Sequence, residues 1–385
     1  MKICMCSFTG FSSLNGSNLR VYHLTNELLK RGGDLSFVVP GAVAAESCRE
    51  RFGVPAVDVG IEISRFKSSK FKLYPIFAWK ARKKIQKSSE LVFGQSLPAA
   101  LAVKLSKTAG RKAVDYVDLW SEYWHYEHRG LKGDASYRAL RFAESYSVKG
   151  PDTVFTITSP FRQMIESRGC RPERIKTVRD GVDTKMFRPL KVPGKFMDKY
   201  ELEKGTDYVT YQGGIGIWDG VQFLADAAPR VLEKFPEAKF LVVGEGPYAP
   251  VVREKVRKAR LEKNFVFTGW VPYEDMPYFM NVSRVNAVPI PDAPCMRGVL
   301  TLKLFEAMAC GLPTIINGLP GVREHTEHGK TAYFSDPENS EKFAAGISEL
   351  LGDAKLRKKI SSGGLKMIPR YDWHEIAKEM ADLMC

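Results

Sequence analysis

The segment Arg297–Pro313, reading RGVLTLKLFEAMACGLP, sets two cations and a carboxylate around the start of a helix. Its apolar spacing starts that helix near Thr301, and Gly311 ends it. The first-turn amides of a helix have no internal partner and carry the positive end of its dipole. With Arg297 and Lys303 beside them, they suit a diphosphate. Glu306, three residues after Lys303, lies about one turn further in, where a carboxylate can accept both hydroxyls of a ribose. Each hydrogen bond to a charged group contributes about 1.5–3 kcal/mol. The plain alternative is a Lys303–Glu306 pair on a solvated face. The flanking Leu302, Leu304, Phe305, Ala307 and Met308 favour a buried helix instead.

Two loops carry glycines where a phosphate could approach the backbone. Ser12–Ser17 contains Gly16 and precedes a helical stretch, without a full G-x-G-x-x-G. Gln212–Gly220 contains Gly213, Gly214, Gly216 and Gly220. Either loop alone reads equally as a flexible turn, and the pair is the stronger signal. Asp118, in Asp115–Glu122, follows a strand and is a candidate catalytic group, a carboxylate able to steady a developing positive charge. It is also placed to cap the helix from Trp120. His125 joins it as a catalytic candidate. With His128 it lies among Trp and Tyr, which suits contacts to an acceptor or plain packing. His325 and His328 share that spacing. None has the further ligands a metal needs, and there is no Asp-x-Asp in a candidate site loop, so neither a metal nor another cofactor is expected.

Positioning such groups falls to an alternation of short apolar runs and helical stretches. Strands are expected at Lys2–Ser7, Leu35–Val39, Leu91–Phe93, Ala113–Val117, Thr153–Thr158 and Ile175–Val178. A second set follows at Tyr208–Tyr211, Lys239–Val243, Phe265–Phe267, Asn286–Ile290, Thr314–Asn317 and Thr331–Phe334. Asn18–Arg31 has the 3.6-residue period of an amphipathic helix, and Val221–Lys234 and Leu302–Ala309 fill gaps in the second half. Strand–helix–strand at this rhythm implies parallel sheets covered on both faces. Pro189, Pro193 and Gly194 interrupt both periods, placing the join within Met186–Lys199. Two doubly wound domains facing across a cleft are expected, with ligands at the carboxyl ends of their strands.

The 385 residues suit two domains, and 44 % hydrophobic residues can fill both cores. A surplus of 58 Lys and Arg over 44 Asp and Glu, net +14, favours anionic partners. Seven scattered cysteines read as reduced thiols in a cytoplasm. No apolar run is long enough to span a bilayer, and Met1–Phe8 reads as a strand and not a signal peptide. Phe66–Lys87 carries Lys67, Lys70, Lys72, Lys80, Arg82, Lys83, Lys84 and Lys87, no acid, and interleaved Phe66, Phe71, Tyr74, Phe77 and Trp79. This pattern suits peripheral attachment to an anionic membrane face through Lys67–Lys87. The alternative is a solvated helix face whose aromatics belong to the core. No nucleic-acid-reading motif accompanies the stretch, and no nucleic-acid partner is expected.

The run from Lys303 to Thr314 resembles the core motif of glycosyltransferase family 4, the group 1 glycosyltransferases. So do Asp152–Ser159, Arg179–Pro189, Val243–Pro247 and Phe267–Pro272, and the likeness is densest after Asp152. The resemblance implies an α/β fold of GT-B architecture: an acceptor-side domain 1–188, a nucleotide-sugar domain 189–367, and a C-terminal helix 368–385 packing back on the first. It implies a retaining transferase that moves a sugar from a nucleotide-diphosphate donor to a glycan or polyprenyl-linked acceptor. Glu306 would bind the donor ribose, and the amides of Val299, Leu300, Thr301 and Leu302 would contact phosphate and sugar. Gly16, Gly213 and Gly214 would approach the diphosphate, while Gly244, Glu245 and Val271 would line the nucleotide. Where that family often has a glutamate eight positions before Glu306, this chain has Gly298. Where it often has a basic pair in the second glycine loop, this chain has Gly214 and Asp219. Arg297 and Lys303 become the substitute cations. These departures leave open a non-catalytic sugar-nucleotide binder, alongside a GT-B sugar-nucleotide epimerase.

Overall fold

The computed structural model describes residues 1–12, 14, 16, 18–62, 72–128 and 130–384. The chain forms two compact units. One comprises Met1–Asp180, Gly298–Leu300 and the segment from Trp373 onward; the other comprises Gly181–Arg297 and Thr301–Asp372. The division falls ahead of Pro189, because Val178–Asp180 is still held in the first unit by Arg20.

The first unit is a seven-stranded parallel sheet: β1 (Lys2–Cys6), β2 (Asp34–Val39), β3 (Ala56–Asp58), β4 (Leu91–Gln95), β5 (Arg111–Asp115), β6 (Thr153–Thr156) and β7 (Ile175–Thr177), in the order β3-β2-β1-β4-β5-β6-β7. Ile3 pairs with Leu35 on one side and Leu91 on the other. The strand order reverses at β1/β4, where the carboxyl ends of such sheets leave a crevice. The sequence reading did not anticipate β3: three residues at the sheet edge, directly after Pro55, give neither alternation nor an apolar run. Buried Leu19, Leu24 and Leu28 place the helix Leu19–Lys30 on the sheet. The helix Trp373–Met384 lies against it, with Trp373 stacked on His23 at 5.2 Å and Asp382 bonded to Arg31 at 2.7 Å.

The opposite layer is locked by a buried charge. Glu144, on the helix Leu131–Ser147, accepts from the Ser121 amide at 2.9 Å and its hydroxyl at 2.5 Å, and from Arg168 Nε at 3.3 Å. Arg168 also donates to Glu122 at 2.5 Å. Burial pushes the Glu144 carboxyl above its ordinary range, opposed by Ser121 and Arg168. In the helix Leu73–Lys84 the two readings of the basic stretch divide. Tyr74 and Phe77 are core residues, each edge-on to Phe8 at 5.0 Å. Ile76 and Trp79 are exposed, and Arg82 lies 3.6 Å over the Trp79 ring. Phe66, Lys67, Lys70 and Phe71 lie outside the described residues.

The second unit is a six-stranded parallel sheet: β8 (Tyr208–Gln212), β9 (Lys239–Val243), β10 (Phe265–Gly269), β11 (Val285–Val288), β12 (Thr314–Ile316) and β13 (Tyr333–Phe334), in the order β10-β9-β8-β11-β12-β13. Its core joins Val209, Tyr211, Phe240, Val242, Ala287 and Ile315 of the sheet to Leu224, Val231, Phe343 and Ile347 of the covering helices. The reversal falls at β8/β11. The helix Leu302–Ala309 ends in a Schellman motif: Leu312 N–H reaches Ala307 O at 2.9 Å, Gly311 N–H reaches Met308 O at 3.0 Å, and Gly311 has φ 71°. The six described cysteines are buried. Among the described residues, no helix is long and apolar enough to cross a membrane, and no group of three or more His, Cys, Asp or Glu could hold a metal ion.

Candidate functional site

In the second unit, the predicted glycines are required by close backbone approach. The loop after β8 is stitched to the loop after β9 through Gly213 N–H to Val243 O at 2.9 Å and Ile215 N–H to Glu245 O at 3.2 Å. At Gly244, with φ 135°, a Cβ would stand 1.9 Å from Gly213 O. Any side chain there would force the two loops apart. Gly214 differs: a Cβ would meet nothing within 4 Å among the described residues, so this part of the loop is open.

Lys303 lies along that loop. A Cβ on Gly213 would sit 2.5 Å from Lys303 Cε. The ammonium donates to Tyr211 Oη at 2.8 Å and to Asp219 Oδ1 at 2.5 Å. Tyr211 in turn donates to Gly214 O. The Lys303 carbonyl is held from the sheet by Gln212 Nε2 at 3.1 Å and Asn286 Nδ2 at 3.4 Å. Thr301 occupies the N-cap position, with no side-chain cap bond among the described residues.

Glu306 is buried, which excludes a solvated Lys303–Glu306 pair. Its Oε1 accepts from Tyr273 Oη at 2.7 Å. Burial raises the Glu306 carboxyl above its ordinary value, opposed by Tyr273, Gln212 and Lys303. Burial and the facing carboxylate push the Tyr273 hydroxyl well up, so the proton stays on tyrosine. Sequence reasoning missed Tyr273. It lies far from the helix in the chain, in the turn after β10, and only the fold brings it to Glu306.

Other predicted donor-site residues are placed differently. Arg297 is exposed and forks onto Asp292 at 2.7 and 3.2 Å, so its charge is spent on the surface. Gly298, Val299 and Leu300 belong to the first unit, where Thr158 Oγ1 donates to Gly298 O at 2.7 Å. A Cβ on Gly298 would lie 3.0 Å from the backbone of Phe161, in the first turn of the helix Ser159–Ser167, so a glutamate there would have to displace that helix start. Glu245 pairs with Arg253 at 3.3 Å, and the Arg253 guanidinium stands 4.2 Å over Phe267. Val271 is half-buried just past β10, beside exposed Trp270. Leu302 is half-buried in the first helical turn.

In the first unit, Gly16 is exposed in the loop after β1; Ser13, Asn15 and Ser17 lie outside the described residues. Asp118 accepts from Tyr123 Oη at 3.0 Å. His125 points to the helix Leu131–Ser147 instead, its Nδ1 3.7 Å from Asp134 and its ring 4.5 Å from Tyr137. His128 stacks on Trp124 at 3.9 Å.

Near Asp118 lies a buried ion cluster that the sequence did not reveal. Arg20 donates through Nε to Asp115 at 2.9 Å, through Nη1 to Asp180 at 3.2 Å and Arg179 O at 2.8 Å, and through Nη2 to Val178 O at 2.8 Å. Burial raises Asp180 to about 7; Arg20 opposes the rise, and Asp115 and Asp118 add to it. In the sequence Arg20 looks like any cation on an amphipathic helix. At the β1/β4 reversal, Ser96 adopts φ 67°, and the adjacent buried Gln95 Nε2 has no partner among the described residues. Strained non-glycine residues of this kind gather at working sites.

Two family models match the chain: "Glycosyltransferase Family 4" over residues 14–186 and "Glycosyl transferases group 1" over residues 206–353. A GDP-mannose-dependent α-(1-6)-phosphatidylinositol monomannoside mannosyltransferase of Mycobacterium tuberculosis is 24 % identical over 299 residues, 76 % of this chain and 74 % of the relative. An alpha-maltose-1-phosphate synthase of Mycolicibacterium smegmatis is 24 % identical over 68 % of each chain. Among solved structures, Anabaena HepE in complex with UDP and glucose superposes with a TM-score of 0.77 at 18 % identity, covering 100 % of this chain and 99 % of that one. Sucrose-phosphate synthase from Thermosynechococcus elongatus gives 0.81 at 17 % identity, covering 100 % and 98 %.

Proposed function

The chain is a family 4, group 1 glycosyltransferase with the two Rossmann-like units of the GT-B fold, and on that premise we propose that it moves a sugar, with retention, from a nucleotide diphosphate to a membrane-proximal acceptor. One observation carries the donor half of this reading. At the β8/β11 reversal, the open glycine loop, the start of the helix Leu302–Ala309, Lys303 and the braced carboxylate of Glu306 are gathered on one unit. Loop amides and Lys303 are the donors a diphosphate needs, and Glu306 is the acceptor a ribose needs. The relatives point the same way: the mycobacterial enzyme is GDP-mannose-dependent, and HepE is solved in complex with UDP and glucose.

In the proposed step the anomeric C–O bond breaks and its electron pair passes to the leaving phosphate oxygen. That oxygen takes the proton of the acceptor hydroxyl, whose oxygen bonds to the anomeric carbon on the same face. Such a step needs orientation and charge stabilisation more than a strong base. Asp118 is assigned to orient the acceptor hydroxyl, and His125 to acceptor contact. No metal or other cofactor enters the step.

The membrane reading rests on two helices of the first unit. Leu73–Lys84 exposes Ile76, Trp79, Lys80, Lys83 and Lys84, and Leu131–Ser147 exposes Leu131, Lys132, Arg138, Phe142 and Tyr146. Apolar residues beside cations, with no acid on Leu73–Lys84 and the Asp134 carboxylate of the second helix beside His125, suit an anionic lipid surface such as one bearing a polyprenyl-diphosphate glycan.

A thermal-shift panel of UDP-, GDP- and ADP-sugars, followed by product NMR, tests the donor and the anomeric outcome. An inverted product rejects retention, and no shift with any of them rejects the donor site. Flotation with phosphatidylglycerol vesicles at low salt tests the surface. Binding that survives Trp79→Ala combined with Phe142→Ala removes these helices from the reading.

A further inference from the structure

The cation of the donor site already has an anion. Lys303 Nζ donates to Asp219 Oδ1 at 2.5 Å, and the Gly216 N–H donates to Asp219 Oδ2 at 2.8 Å. One carboxylate therefore takes an ammonium and a glycine-loop amide together, the two kinds of donor that cradle a phosphate. Lys303 and Asp219 are each 16 % exposed, so the pair is partly desolvated yet open at one side. Next to it Gly214 leaves the loop open, and the aliphatic stem of Lys303 covers Gly213.

We propose that the Asp219 carboxylate is an internal stand-in for a phosphate of the donor, and that it sets the affinity of the site for a nucleoside diphosphate by competing for Lys303. The inference rests on the donor-site reading above. An incoming diphosphate meets a lysine whose charge is cancelled, and it feels the Asp219 carboxylate at nearly the same range. Binding then requires Lys303 to swing from Asp219 to phosphate while Asp219 stays capped by Gly216 N–H. Rotation of the ammonium keeps Tyr211 Oη within reach as its second acceptor. Asp219 acts through Lys303 and touches no reacting atom, so it is a positioning residue for the transfer.

The test is calorimetric titration of the full chain with UDP and with GDP. Asp219→Asn keeps an oxygen for Gly216 N–H and removes the charge. The expected result is about ten-fold tighter nucleotide binding, a steeper loss of affinity with salt, and a lower donor KM with kcat little changed. Lys303→Met weakens binding about ten-fold, and adding Asp219→Asn to Lys303→Met tightens binding by clearly less than ten-fold, because only the direct repulsion is then left to remove. A merely structural role for Asp219 cannot tighten binding. If Asp219→Asn folds poorly, Asp219→Ser, too short to reach Lys303, carries the same expectation. Unchanged or weaker binding by these variants, with wild type binding normally, overturns this inference and leaves the donor site standing. Failure of wild type and variants alike to bind either nucleotide overturns the donor-site reading and this inference with it.

Discussion

Replacing Asp180 by asparagine should make the stability of the first unit less dependent on pH. Asp115 and Asp180 share the single guanidinium of Arg20, and Arg179 is engaged with Glu379 at 3.2 Å. One buried cation cannot neutralise two buried carboxylates, so one of them holds its proton. Burial raises both carboxyls, but Asp115 has the shorter bond to Arg20, 2.9 against 3.2 Å, and Asp118 adds repulsion at Asp180, so Asp180 is the one expected to hold the proton near neutral pH. Its carboxyl rises from 3.8 to about 7. A folded-state value above the unfolded one means that the folded chain binds more protons between them. The stability due to that proton is complete below about pH 4 and is lost as pH rises through about 7. The full shift of about three units corresponds to a ceiling of about 4 kcal/mol, of which about 3 kcal/mol falls between pH 5 and 8. For a unit of this size that is roughly 5–10 °C in Tm. Thermal melts of wild type and Asp180→Asn at pH 5, 6, 7 and 8 measure it. Wild type should lose stability relative to the variant at each step. A constant difference across that range refutes the argument. A wild-type advantage that grows from pH 3 to 5 would mean that Arg20 outweighs burial, reversing the sign.

Three further outcomes are expected. Glu306→Ala should abolish most transfer while the fold survives, and Tyr273→Phe, which removes a hydrogen bond to a carboxylate and about 1.5–3 kcal/mol with it, should weaken nucleotide binding ten-fold or more by calorimetry. Full affinity in Tyr273→Phe would remove the brace from the site. Glu144→Ala leaves Ser121 and part of Arg168 unpaired in the interior and should cost about 3–5 kcal/mol, whereas Arg141→Ala, at the exposed end of the same network, should cost under about 1 kcal/mol; denaturant titration compares them. Gly244→Ala should destabilise the second unit and eliminate nucleotide binding, because its Cβ and Gly213 O cannot share the space; a variant with native melting and binding would show that the loops can separate.

Much of this protein is determined locally. Alternation of apolar runs and amphipathic helices specifies parallel sheets because each strand must be covered on both faces, and eleven of those runs lie between Lys2 and Asn317 with a final one at Thr331–Phe334. The spacing of Leu302, Leu304, Phe305, Ala307 and Met308 likewise specifies the helix bearing Lys303 and Glu306. The edge strand Ala56–Asp58 escaped because three residues carry too little pattern, and pairing with β2 alone makes it a strand. Partners across long chain separations were decided only by the tertiary structure. Lys303 faces Asp219 and not Glu306, Glu306 meets Tyr273, and Arg20 collects Asp115 and Asp180. Side-chain type and helical phase dictate what a residue can offer. Which charge is already neutralised depends on loops joined through the sheet, and no local pattern encodes that distance.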